Sequence, residues 1–354
     1  MRMDQAVGGQ AMAQAERQLL PAVPDLAARL RAGETLAGGW AELEPVRHNL
    51  GYPVGDVLLC HMRDALWVPR TGMLYDAAGR PVASCLMAAG GRILPLPRGR
   101  RMTLESGAVF AGFGAGRNYG HFLLDGLAGL AALDDLGLLR RFPAVSGSLL
   151  GWQRQATSIA GLPVQEVAAA QVRLGEVIFV TAMNHYLHRC DGLLAPLAAR
   201  MGGRGTSAEA VVYLSRRRFA GRILLQEPAL EAALQARGAR VLRPETMLVA
   251  DQIAAMRDVR VVIAPSGAAL ANLIFAPKGA TLIEIRPDSV REPWVDLICA
   301  RMGLRHRVVA APMVAPEKVP LSAWLRQLPR RVTGRYHQVM QADISAVLAE
   351  LDAL

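Results

Sequence analysis

Three observations in the second half of the chain predict an α/β fold. Short apolar strands alternate there with helical segments of about ten residues, the rhythm of a parallel sheet whose crossovers are helices. The strand runs, such as Val211-Val212-Tyr213-Leu214 and Val261-Val262-Ile263, are continuously apolar, as in strands covered on both faces. The last of these breaks at Ala264-Pro265-Ser266-Gly267 and restarts as the small-residue pattern Ala268-Ala269-Leu270-Ala271-Asn272. That is a buried strand, a tight turn and a helix N-terminus.

The elements follow in order. Residues 1–35 are polar and rich in Ala, Gln and Arg, an N-terminal extension. From Trp40 to Arg117 the chain reads as short strands (57–60, 65–68, 92–96 and 108–110) punctuated by Gly and Pro. Helical periodicity runs from His121 to Arg141, followed by strands at 148–151 and 176–180. Gly202-Gly203-Arg204-Gly205-Thr206-Ser207 is the best linker candidate. It ends a first α/β domain over 36–201. A Rossmann-like domain then spans 202–335, with strands at 211–214, 240–242, 261–263 and 281–285. Its helices are expected at 227–237, 248–257, 267–275 and 294–302. The remainder, 336–354, is expected to form a helix packing back across the boundary. Ligands of such sheets sit at the carboxyl ends of the strands, where Ser215 and Ser266 fall.

Composition narrows the partners. The chain has 354 residues, 52% of them hydrophobic, and a net charge of +10 that comes from arginine. Guanidinium forks suit phosphate, because each pairs with two oxygens at once. Aromatic residues make up only 5% and no basic helix interleaves with them, which argues against nucleic acid. The four cysteines are widely spaced with no CxxC, the usage of a reducing compartment. Neither a secretory leader nor an apolar run of about 18 residues is found. The expectation is a cytoplasmic protein, with peripheral contact to the inner membrane left open by the charge.

Four segments carry chemistry. In Asn118-Tyr119-Gly120-His121-Phe122-Leu123-Leu124-Asp125, a helix starting near Gly120 puts His121 and Asp125 on one face, four apart. Such a pair can orient and move a proton, or can be a structural pair. Gly112, Gly114 and Gly116 precede it as a loop that opens space above the helix. In Tyr213-Leu214-Ser215-Arg216-Arg217-Arg218, with Arg222 beyond, arginines collect at a strand's carboxyl end, where an anion binds. In the turn at Ser266, Gly267 and Ala268, backbone N–H groups and the helix dipole point at one spot, a seat for phosphate. Glu284, inside a strand, either receives ribose hydroxyls or forms a salt bridge to an arginine such as Arg286. Gly-rich dinucleotide, Walker A, GxSxG and HExxH patterns are absent from the sequence. So is the Asp-x-Asp that often holds a divalent ion against a diphosphate. His185, His188 and Cys190 make a weak metal set without a fourth ligand.

These segments, in this order, resemble glycosyltransferase family 61. The resemblance rests on Asn118–Asp125, on Ser215-Arg216-Arg217 with Arg222 and Glu227, and above all on Ala264–Asn272 followed by Phe275-Ala276-Pro277-Lys278-Gly279 and Glu284. It covers about residues 110–310. The family commonly has His where this chain has Ser266. The resemblance implies a GT-B architecture, two Rossmann-like domains facing across a cleft. It also implies inverting, metal-independent transfer from a nucleotide sugar to a glycan or lipid-linked saccharide, of the capsule or exopolysaccharide kind. Ser215, Arg216, Arg218, Arg222, Ser266, Gly267, Ala268, Asn272 and Glu284 would then serve the donor, and Asn118 and Tyr119 the acceptor. Asp125 would be the base, with His121 orienting it. No metal or cofactor beyond the donor, and no nucleic acid, is expected. The alternative is a GT-B-like module that binds or assembles glycans without catalysis.

Overall fold

The computed structural model describes residues 16–19, 58–80, 96–109, 116–180, 191–205, 209–218, 221–288, 294–332 and 339–354. The chain divides into two compact units, Met1–Met201 and Gly202–Leu354. Both are mixed α/β with parallel strand pairs.

The first unit holds β1 (Glu16–Leu19), β2 (Leu58–Val68), β3 (Met73–Tyr75), β4 (Arg101–Val109), β5 (Ala144–Ser146), β6 (Val164–Glu166) and β7 (Gln171–Val180). They form a mixed sheet of order β1-β2-β7-β4-β5-β6, with β3 paired to β2. β4 runs parallel to β5 and β7, whereas β2 is antiparallel to β7. The two short strands expected at 57–60 and 65–68 are one long strand, β2. Asp64, at φ 52°, marks the irregularity between them. The strand expected at 148–151 lies instead at Ala144–Ser146, because Leu150 caps a helix. The Gln153 side chain accepts from the Leu150 N–H at 2.7 Å and starts the helix Gly151–Ile159. Most of the strand expected at 92–96 lies outside the described residues, as do Gly112, Gly114, His185, His188 and Cys190.

Among the described residues of this unit three longer helices stand out. The first, α1, is a continuous run of an α-turn Tyr119–His121, a π-helical segment Phe122–Leu127 and an α-helix Ala128–Asp135. It is followed by α2 (Gly151–Ile159) and α3 (Asp191–Arg200). Arg200 of α3 ties back to α1, pairing with Asp134 and, at 2.9 Å, with Asp135. Along α1 Leu123, Leu124, Leu127 and Leu133 are all buried, so the helix is held by its packing rather than by surface charge.

The second unit holds β8 (Ala210–Leu214), β9 (Ile223–Leu224), β10 (Arg240–Leu242), β11 (Val259–Pro265), β12 (Thr281–Pro287), β13 (Arg305–Ala311) and β14 (Val339–Met340). Its helices are α4 (Glu227–Gln235), α5 (Val249–Arg257), a 3-10 helix (Ala268–Phe275), α6 (Trp294–Met302), α7 (Leu321–Val332) and α8 (Ile344–Asp352). The main sheet is parallel throughout, in the order β10-β8-β11-β12-β13. Strand residues on one face, among them Val261, Ile263, Ile283 and Ile285, pack with Leu230 and Leu234 of α4 and with Val347 and Leu351 of α8. The C-terminal helix therefore lies on the sheet of its own unit. Alternate residues such as Val212, Val262 and Leu282 are buried on the other face. β9 and β14 form a small separate parallel pair.

In chain order the five strands of this sheet run 2-1-3-4-5. The order reverses between β8 and β11, and in sheets of this kind ligands bind at such a reversal, outside the carboxyl ends of the strands. The chain leaves β8 at Ser215 and β11 at Ser266. The two segments singled out in the sequence therefore flank the topological switch point.

Candidate functional site

Arg216 leaves β8 on a scaffold of buried acids. Its backbone N–H donates to Glu227 Oε1 at 2.6 Å, and the Tyr213 hydroxyl donates to the same oxygen at 3.0 Å. Burial raises the Glu227 carboxyl above its ordinary value, against the Arg216 and Tyr213 hydrogen bonds that pull it down. Ser215 donates its hydroxyl to Glu231 at 2.6 Å, and Arg243 holds the other Glu231 oxygen at 2.8 Å. Ser215, expected among the donor contacts, is thus turned into this network. Arg218 stands exposed on the loop.

The guanidiniums of Arg216 and Arg222 converge. Nη1 of each donates to the Ser266 carbonyl at 3.2 Å, and Arg216 Nη2 also donates to the Gly221 carbonyl at 3.1 Å. Arg222 has φ 51°, a left-handed conformation that a long side chain adopts only at a cost. Two cations drawn to one neutral acceptor repel each other, and an anion placed between them relieves that repulsion. This is the strongest concentration of positive charge at the switch point, and it lies on the turn that the sequence marks as a phosphate seat.

The turn itself is built differently from the expectation. A Cβ on Gly267 would stand 1.5 Å from Arg216 Nη1. The space left by the missing side chain is therefore filled by the guanidinium, rather than kept open for a ligand. Beyond it, Ala268 and Ala269 are partly exposed at the start of the 3-10 helix, where the first N–H groups have no helical acceptor. Asn272, expected at the donor, is buried in the core of the unit. It donates to Gln252 Oε1 at 2.9 Å, and Gln252 in turn donates to the Pro244 carbonyl. This amide relay ties the 3-10 helix to α5.

Ser266 and Glu284 are also committed elsewhere. The Ser266 hydroxyl donates to Glu284 Oε1 at 2.5 Å. Glu284 Oε2 meets Arg286 Nη2 at 2.6 Å and His306 Nε2 at 2.9 Å, and both partners reach Asp296. Burial alone would raise the Glu284 carboxyl, yet the hydrogen bonds from His306, Arg286 and Ser266 prevail and hold it below the usual range. His306 is held above its ordinary value, because Asp296 and Glu284 outweigh desolvation. The salt-bridge reading of Glu284 is the one observed. Cys299 of α6 lies near these acids, and burial pushes its thiol up to about 12, which leaves it inert as a nucleophile.

A cavity of about 730 Å³ in the same unit was not visible in the sequence. Gln226, Met313, Lys318, Gln341 and Asp343 are among its lining residues. Gln226 Oε1 is buried with no hydrogen-bond partner among the described residues. Gln226 precedes Glu227, so the cavity wall and the anchor of Arg216 are consecutive in the chain. Pattern reasoning missed it because two of its walls, β13 and the segment before α8, carry no clear strand or motif signal.

In the first unit, Asn118 caps α1, its side chain accepting from the His121 N–H at 3.2 Å. That fixes the turn that presents His121. Tyr119 packs on Trp152 with ring centroids 5.5 Å apart. His121 Nδ1 lies 2.7 Å from Asp125 Oδ2. His121 is 7% exposed and Asp125 3%, so the carboxylate is the deeper partner. A buried acid on Nδ1 fixes the tautomer that puts the ring's lone pair on Nε2. This geometry places Asp125 to orient His121.

Residues 119–283 match the family model described as Glycosyltransferase 61, an interval that runs from the first residue of α1 to the middle of β12. No curated protein matches the chain. The matched interval contains the His121–Asp125 pair, both converging arginines and the whole turn at Ser266, and over this interval the chain is similar to glycosyltransferase family 61, a family of enzymes that transfer sugars.

Proposed function

We propose that the chain is a GT-B-type, inverting glycosyltransferase using a nucleoside diphosphate sugar, with the donor held by the second unit. The convergence of Arg216 and Arg222 on the Ser266 carbonyl carries this reading. A diphosphate there would accept from both guanidiniums and from the open N–H groups at Ala268 and Ala269. The cavity beside Gln226 has the size of a small-ligand site and would take the nucleoside, whose donor group would satisfy Gln226 Oε1.

In the transfer step, an acceptor hydroxyl oxygen forms a bond to the anomeric carbon as the bond to the diphosphate oxygen breaks. The bonding pair leaves with the diphosphate, and the acceptor proton passes to His121 Nε2. Asp125 stabilises the imidazolium that results. The arginines offset the charge growing on the leaving group, the task a divalent ion performs in enzymes with an Asp-x-Asp motif. Glu227, Glu284 and Asn272 support this machinery without touching substrate. A glycan or lipid-linked saccharide is the acceptor class, in capsule or exopolysaccharide synthesis, within the cytoplasm.

Calorimetry with a panel of nucleoside diphosphates tests the donor half. Binding of one of them, weakened at least about ten-fold by Arg216→Ala or Arg222→Ala, is expected. Undiminished binding in both variants would sink the assignment. A second reading, a glycan-binding module without catalysis, draws on Ser266, whose hydroxyl is taken by Glu284 and cannot serve a phosphate. It predicts that no nucleotide sugar is turned over with any saccharide acceptor.

A further inference from the structure

We propose that α7 is a membrane-surface helix that docks this protein on an anionic bilayer through Leu321 and Leu325. This goes beyond the sugar-transfer reading and stands whether or not that reading holds. An amphipathic helix ordinarily buries its apolar stripe against its own protein. In α7 the arrangement is inverted. Ala323 is 4% exposed and packs with Ile223 and Val339 of the β9–β14 pair. Leu321 and Leu325, four residues apart and about half a turn from Ala323, are 70% and 50% exposed. The sequence continues their spacing to Leu328 and Val332, with Trp324 beside them.

Charge selects the occupant. From Lys318 to Ala342 the sequence has no acidic residue, and it carries Lys318, Arg326, Arg330, Arg331 and Arg335. A leucine stripe flanked by arginines, with low overall hydrophobicity, is the composition of helices that lie in the headgroup layer of anionic membranes. A second copy docked through the same face would bring these cations against their own images, which opposes a symmetric dimer. No described helix is long and apolar enough to cross a membrane, so the contact is a peripheral one. Arg326 also donates to the Arg217 carbonyl, next to Arg216. Docking through α7 would therefore hold the switch-point loop at the bilayer surface.

Co-sedimentation of the full chain with vesicles provides the test. The wild type is expected to sediment with phosphatidylcholine–phosphatidylglycerol vesicles, to remain in solution with pure phosphatidylcholine, and to be released by salt. Leu321→Ser with Leu325→Ser should weaken binding at least about ten-fold with an unchanged melting temperature. Arg330→Gln with Arg331→Gln gives an independent reading and should weaken binding at low salt. Failure of the wild type to sediment with anionic vesicles, or sedimentation unaffected by both double variants, overturns the proposal. So does a wild-type dimer that the leucine variant converts to a monomer, which would assign the face to a second copy.

Discussion

The guanidinium of Arg216 occupies the space that a side chain on Gly267 would take. A Cβ there would lie 1.5 Å from Nη1 and 2.7 Å from Cζ. Gly267 itself is extended, at φ 167°, a conformation open to any residue, so the requirement for glycine comes from the neighbour. Because that neighbour is the end of a flexible chain, Gly267→Ala should fold and displace the arginine. The expected result is a loss of nucleoside diphosphate affinity close to that of Arg216→Ala, with a stability change under about 1 kcal/mol. In a double-mutant cycle the two losses should not add. Additive losses, read by calorimetry, would show that Gly267 acts on the ligand directly.

The acid–base pair makes a separate prediction in the first unit. Asp125→Asn keeps the shape of the side chain but presents an amide to Nδ1, which favours the wrong tautomer of His121. It is expected to lower kcat by about 10²–10⁴-fold with little change in donor affinity. His121→Gln should do the same. Steady-state kinetics on purified variants decide this. A kcat that survives both changes removes the pair from the mechanism.

The network around Glu284 predicts the pH dependence of stability. His306 has a raised folded-state pKa, so its contribution is complete below its ordinary value of 6.5 and fades as pH climbs through the folded value. Glu284 and Asp296 have lowered values, so their contributions are present above 4.5 and 3.8 and fade on acidification. The network is therefore strongest between about pH 4.5 and about pH 6.5. Thermal melts across neutral and alkaline pH should show wild-type stability falling on the alkaline side. His306→Gln should flatten that slope. A parallel decline in the variant would mean that other groups set it.

Asn272 separates support from contact. Asn272→Ala removes the donor to Gln252 and leaves a buried amide oxygen unpaired, at about 1–3 kcal/mol. Denaturant unfolding should record that loss. Donor affinity, measured well below the unfolding transition, should stay within about two-fold of wild type, since the amide points into the core. A marked loss of affinity at full folding would return Asn272 to the binding surface.

The alternation of elements in the second unit was legible because β8 and β11 are built on continuous apolar runs, separated by helical segments. β13 was missed because, at the sheet edge, Arg305-His306-Arg307 breaks that run, and His306 is turned to Glu284. The positions of Arg216 and Ser266 just past strand ends, and of Glu284 inside β12, followed from the pattern. Their partners did not, since partners come from register. Ser266 meets Glu284 across β11 and β12, and His306 comes from the next strand over. The His121–Asp125 contact was readable from helical spacing, but which partner lies deeper depends on tertiary packing. Spacing could not show that Gly267 yields its space to an arginine 51 positions before it.

Arg222 holds a guanidinium at a backbone position shaped for glycine. The left-handed turn lets its side chain double back to the Ser266 carbonyl beside that of Arg216, a direction that an ordinary β or helical residue would not supply. Arg222→Gly should therefore raise the melting temperature slightly while weakening anion binding, stability and affinity moving in opposite directions from a single substitution. The cation and the strain at this residue are two aspects of one design, in which the fold gives up a little of its own stability to aim a charge.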